Sequence, residues 1–258
     1  MPRSPFLLLS VVALLAAPAV AGDGDAVMHA VEKAMLSPGE QVVVKMEITS
    51  ADGGTESRTL NMWSLHLEGK AAKTLIRFQE PAAIAGTALL TIRPPGKAQD
   101  NWLYVPALDQ VRRIAPQNRT QSFVKSDFTI EDLSVVVDTE NRLYTLQGEE
   151  ACGDRTCIVV EDKPANDKAA KQSGYGRVVL KVDKETSLVA MVQFYDKSDA
   201  LLKVMSSDGM VKVGDGWRWT SATIADVQKG SKTVMTVTDR PAGAVDDSVF
   251  SPSALEAW

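Results

Sequence analysis

The chain has 258 residues, 45% of them hydrophobic, and a formal net charge of −5. That length can bury a sizeable core in one or two domains. A mildly acidic balance without a basic block excludes nucleic acid as a partner, because phosphate binding needs clustered Lys and Arg.

The first predicted element is an export signal. Arg3 supplies a positive start, Phe6 to Ala17 is an apolar run, and Ala19-Val20-Ala21 has the small-x-small pattern of a cleavage site. Cleavage is expected after Ala21, leaving residues 22–258 as one domain in the periplasm. The apolar run is shorter than the ~20 residues a membrane-spanning helix needs. No Cys follows it, so an acylated N-terminus is not expected, and neither is a membrane span after cleavage.

An amphipathic helix follows, with Val27, Val31 and Met35 at i, i+4 and i+8, Asp23 or Asp25 as cap, and Ser37-Pro38-Gly39 as its end. The period then changes to two. Val42, Val44, Met46 and Ile48 alternate with polar neighbours, Asp52-Gly53-Gly54 turns the chain, and Leu60 to Leu67 returns. Further strands are expected at 74–78, 87–92, 101–105 and 110–114. From Ala115 to Leu133 the period is lost, which predicts a long loop with a short helical turn near 129–133. Strands resume near 142–146, 157–161, 177–182, 188–195, 201–213, 217–227 and 233–239. Lys163 to Gln172 reads as a loop or short helix, and Pro252 to Trp258 as a closing helix.

About a dozen consecutive strands predict a mainly β fold, one large, curved antiparallel sheet. A curled, unclosed sheet has a concave apolar face that something must cover, and the opening helix with the central loop is the simplest lid.

The two cysteines, Cys152 and Cys157, flank Gly-Asp-Arg-Thr. An exported chain closes such a pair as a structural disulfide across a turn, while zinc would need two more ligands and a redox pair usually has two intervening residues. No metal or cofactor site is expected. His29 and His66 have no ligand spacing, and neither Gly-x-Ser-x-Gly, Gly-x-Gly-x-x-Gly nor a P-loop occurs. Ser122-Phe123-Val124-Lys125 matches Ser-x-x-Lys, but its companion motifs are missing and so short a pattern arises by chance. An enzyme is not expected.

One block carries a resemblance: Pro81, Ile84 to Leu90, Trp102 to Leu108, Val111 to Ile114, Ser122-Phe123, Ser126-Asp127-Phe128 and Glu131-Asp132-Leu133. It resembles the bacterial periplasmic outer membrane lipoprotein-sorting protein family, a LolA/LolB-like branch associated with RND/MMPL-type exporters. The resemblance implies an unclosed antiparallel barrel with a helical lid and a cavity for acyl chains. It implies a carrier or chaperone in outer membrane biogenesis for a lipidated protein or lipid. An accessory exporter subunit that holds no lipid is the competing reading.

Large apolar residues near the expected opening are the ligand candidates: Trp63, Leu65, Phe78, Leu90, Trp102, Tyr104, Phe123 and Phe128. Each is equally an ordinary core residue, and alternation does not tell which face is concave. Arg112 and Arg113 are expected to pair with Asp127, Glu131 and Asp132 and pin the loop; either arginine is also placed to meet a polar headgroup.

Overall fold

The computed structural model describes residues 20–21, 23–95, 97–133 and 137–256; the apolar run expected as a signal lies outside them. A two-residue strand β1 (Val20–Ala21) precedes helix α1 (Asp23–Ala34). Six strands follow: β2 (Ser37–Thr49), β3 (Thr55–His66), β4 (Ala72–Glu80), β5 (Ala88–Arg93), β6 (Asp100–Val105) and β7 (Gln110–Arg113). After the central loop come β8 (Arg142–Cys152), β9 (Arg155–Pro164), helix α2 (Asp167–Gln172), β10 (Arg177–Asp183) and β11 (Val189–Tyr195). The chain closes with β12 (Leu201–Val213), β13 (Gly216–Asp226), β14 (Ser231–Asp239) and a 3-10 turn at Pro252–Leu255.

The fourteen strands among the described residues form one antiparallel sheet, in the order β1-β8-β9-β10-β11-β12-β13-β14-β2-β3-β4-β5-β6-β7. Each strand after β1 pairs with a chain neighbour, apart from the long-range join of β14 to β2. The edges β1 and β7 do not pair, so the barrel is unclosed. Six register shifts lie along the ladders, at Ser37/Glu40, Thr59/Leu60, Leu146/Gly148, Lys181/Val182, Phe194/Tyr195 and Val237/Asp239. Such bulges bend a sheet and increase its twist.

Two differences from the expected elements have local causes. Ser37-Pro38-Gly39 is not a helix end but the bulged start of β2, where Ser37 pairs with His66 and Gly39 takes a φ of 129°. The central loop holds a 3-10 helix at Pro116–Thr120 besides the expected turn, where the Leu133 amide donates to the Thr129 carbonyl.

Alternation divides the sheet into two faces. One buries Val42, Val44, Met46, Leu60, Ile76, Phe78 and Leu89, joined by Phe123 and Ile130 of the central loop. On the same inner side Tyr144, Val160, Val178, Leu180, Val192 and Phe194 pack with Met28 and Val31 of α1 and Phe128 of the loop. The loop thus touches both halves of the sheet, and α1 lies on β8 and β9. Gly24 makes that approach possible: a Cβ there would lie 2.5 Å from the Tyr144 carbonyl.

The other face buries Trp63, Leu65, Leu75 and Leu90 under Phe250 and Leu255 of the C-terminal segment. Arg77, buried on this face, donates to the Leu255 carbonyl, and Lys73 pairs with Asp247.

Candidate functional site

The inner face retains space between α1, the central loop and strands β8 to β12. This cavity of about 200 Å³ has Met28, Val178, Leu180, Val192, Phe194 and Met205 as its apolar wall. Its rim is polar, formed by Arg93, Lys97, Arg119, Glu131, Asn141, Arg142 and Asp162. A second, more polar cleft of about 480 Å³ adjoins it, sharing Arg93, Lys97 and Asp138. It runs between the end of α1, the β3–β4 turn and residues 137–140.

The lid over the cavity is held by buried polar contacts. Lys203 Nζ on β12 donates to Asp132 Oδ2 at 2.9 Å, to the Asp127 carbonyl at 2.9 Å and to Tyr175 Oη at 3.1 Å. Asp132 also accepts from the Thr129 amide at 2.7 Å and from the Tyr175 hydroxyl. Burial, with Asp132 beside it, pushes the Tyr175 hydroxyl far above the ordinary phenol range, so it stays protonated and donates. Asp127 accepts from Ser231 and Thr233 on β14, and Glu131 accepts from Ser173 and from the Gly174 amide. On the far half, buried Arg58 donates to the Val124 carbonyl.

Arg93 straps the helix to the opposite half of the sheet. Its guanidinium pairs with Glu32 of α1 at 2.8 Å and donates to the Val137 carbonyl. Near the strap, burial holds the His66 imidazole below its ordinary value; Glu32 acts against this and Arg93 reinforces it. On the rim, burial disfavours charge on Arg142, but Asp162 more than offsets this and raises its pKa.

The expected ion pairs are corrected in their partners. Asp127, Glu131 and Asp132 do pin the loop, but not to Arg112 and Arg113. Arg112 donates to Gln110, and Arg113 pairs with Asp100 of the adjacent strand, both at the exposed edge β7. The loop leaves that edge and crosses the inner face, so its carboxylates meet β12, β14 and the segment before β10. Lys203, Tyr175 and Thr233 were missed. Lys203 carried a signal, since it occupies an inward position of the alternating run Leu201 to Met205.

The eight ligand candidates do not share one face. Phe78, Phe123 and Phe128 lie on the inner side. Trp63, Leu65 and Leu90, with Trp102 and Tyr104 packed against them, lie on the outer face under the C-terminal segment. None of the eight lines the cavity, whose apolar wall comes from α1, β10, β11 and β12. Trp63 and Leu65 are buried beneath Phe250 and Leu255 in this arrangement.

Cys152 and Cys157 are bonded across the β8–β9 turn, as expected. The Ser122 hydroxyl donates to the Ser126 carbonyl, and Lys125 is exposed. Among the described residues there is no cluster of three or more His, Cys, Asp or Glu able to hold a metal, and no helix is long and apolar enough to cross a membrane.

A family model described as an uncharacterized protein matches residues 70–257. The structure is similar to a domain from Vibrio parahaemolyticus named for outer membrane lipoprotein sorting, with 26% identity over 91% of this chain and 98% of that one, at a TM-score of 0.82. It is equally similar to a DUF1329 family protein from Desulfovibrio piger, with 30% identity, the same coverage of 91% and 98%, and a TM-score of 0.82. A LolA superfamily protein from Nitrosomonas europaea shares the fold, with 19% identity over 90% of this chain and 98% of that one, at a TM-score of 0.66. No curated protein matches the chain.

Proposed function

The chain belongs to the outer membrane lipoprotein-sorting (DUF1329) family, whose LolA-like fold it shares, and on that premise we propose that it is an exported periplasmic carrier of an apolar cargo. The observation that carries this reading is the apolar cavity beneath α1 and the central loop. Its lid is fastened by polar contacts, which can exchange partners with water when it opens.

Burial supplies the affinity, at about 0.8 kcal/mol for each methylene removed from water. The cavity of about 200 Å³ exceeds the ~150 Å³ that holds a benzene ring. It therefore admits a short apolar segment, and a whole acyl chain requires the lid to part from the sheet. The carrier works by binding alone and has no catalytic step. Cargo moves between the membranes, and an inner-membrane RND/MMPL-type exporter is the proposed donor or receiver.

A second reading has its own observation. Phe78, Phe123, Phe128 and Phe194 fill much of the inner face, as suits an accessory subunit of such an exporter that binds protein and holds no lipid. Native mass spectrometry of the protein released gently from the periplasm separates the two. A lipid or lipopeptide retained at one per chain supports the carrier. A bare mass that persists after incubation with membrane lipids and lipoproteins favours the accessory subunit.

A further inference from the structure

The polar rim of the cavity has spare donors of one kind. Its carboxylates are engaged: Asp162 by Arg142, Asp132 by Lys203, Glu131 by Ser173 and Gly174, and Asp138 by Asn141. Two of its cations are engaged as well, Arg93 by Glu32 and Arg142 by Asp162. Arg119 is different. Its Nε donates to the Pro116 carbonyl at 3.2 Å, and its two terminal nitrogens have no acceptor among the described residues. Lys97, on the same rim, is exposed and its ammonium has no partner among the described residues.

A half-buried guanidinium with an open fork is built for a planar or tetrahedral oxyanion, which accepts two parallel hydrogen bonds. Burial weakens its hold on the proton, while Glu131 and Asp138 act to keep it charged. Those carboxylates also limit the negative charge the rim tolerates. A singly charged phosphodiester satisfies the fork with less repulsion than a doubly charged phosphate.

We propose that Arg119, with Lys97, binds the phosphodiester headgroup of a phospholipid whose acyl end enters the apolar cavity. The inference rests on the carrier reading and narrows its cargo. The acylated N-terminal cysteine of a lipoprotein carries no phosphate, so a site of this chemistry selects phospholipid over lipidated protein. It also places the headgroup contact on the central loop, not on Arg112 or Arg113.

The test is calorimetric titration of the exported chain with single-chain lipids of identical acyl length: lysophosphatidylglycerol, lysophosphatidic acid and monoacylglycerol. Inorganic phosphate alone is a fourth titrant. The proposal expects lysophosphatidylglycerol to bind about tenfold tighter than monoacylglycerol, the scale of a charge-assisted hydrogen bond. Arg119→Met should bring the two affinities together, and Arg119→Lys should restore part of the difference. Circular dichroism and thermal melting certify that both variants fold. Equal binding of the two lipids by the wild type overturns the headgroup site and leaves the carrier standing. Binding of none of the lipids overturns the carrier reading and this inference with it. Inorganic phosphate binding as tightly as the lipid, and lost in Arg119→Met, assigns the site to a free ion and overturns the phospholipid.

Discussion

The ammonium of Lys203 on β12 stands 2.9 Å from the carboxylate of Asp132 in the central loop, with both side chains almost wholly withdrawn from water. Two buried charges are tolerable only as a pair with their remaining hydrogen bonds satisfied, and Thr129, Tyr175 and the Asp127 carbonyl complete the set. Lys203→Met leaves a buried carboxylate without its cation and should cost about 3–5 kcal/mol in denaturant unfolding. Adding Asp132→Asn should recover part of the loss, because the amide still accepts from Thr129 and leaves no charge unpaired. Equal stability of wild type and Lys203→Met would show that the lid is held by other contacts.

Arg93 joins β5 to α1 through Glu32 and to the loop through the Val137 carbonyl. Arg93→Ala removes both contacts and should weaken local closure by about 1–3 kcal/mol. Hydrogen exchange read by mass spectrometry should then speed up in α1 while the β12–β13 ladder keeps its protection. Uniform acceleration throughout the chain would instead mean that Arg93 stabilises the whole fold and not the lid.

The two faces should answer differently to substitution. Met205→Trp places bulk against the cavity wall formed with Val192 and Phe194, and should lower cargo affinity by about tenfold or more. Trp63→Ala opens a hole under Phe250 and Leu255, and should cost about 3–5 kcal/mol of stability while cargo affinity is kept. Lipid titration and denaturation of both variants make the comparison. A cargo defect confined to Trp63→Ala would transfer the site to the outer face.

His66 adds a dependence on pH. Its imidazole lies below its ordinary value of 6.5, chiefly through burial. Protonation then costs the folded state more than the unfolded chain. Its contribution is complete above the ordinary value and is lost as pH falls through the depressed folded one. Between about pH 7 and pH 5 the wild-type melting temperature should fall more steeply than that of His66→Gln. Parallel curves for the two proteins would remove His66 from the account.

The Cys152–Cys157 bond closes a short loop, with a sequence separation of 5. The chain-entropy relation gives about 2 kcal/mol for a closure of that size. The Cys152→Ser, Cys157→Ala double variant should lose roughly that amount in denaturant unfolding and keep its cargo. A far larger loss would mean that the β8–β9 turn supports the sheet beyond local entropy.

Much of the architecture is legible in the chain because strand alternation and the 3.6-residue period are local signals. Val42 to Ile48 and Leu201 to Val213 declare themselves as strands, and Val27, Val31 and Met35 declare a helix face. Which side of the sheet is concave is not local. Trp63 and Phe78 are both large aromatic residues, and only the assembled sheet puts one beneath the C-terminal segment and the other beneath the loop. The loop's partners were hidden for the same reason. Arg112 and Arg113 are near the acidic residues in sequence, whereas Lys203 is 71 positions from Asp132. Arg119 had no sequence signal at all, since its importance comes from what its neighbours already bond.

On the proposed reading the inner cavity, and not the outer face, holds an apolar cargo. Site-specific photocrosslinking in intact cells tests it, with a benzophenone side chain replacing Gln172 at the cavity rim in one variant and Trp102 in another. A lipid adduct is expected from position 172 and none from position 102. An adduct from position 102 alone, or only protein adducts from both, would contradict it.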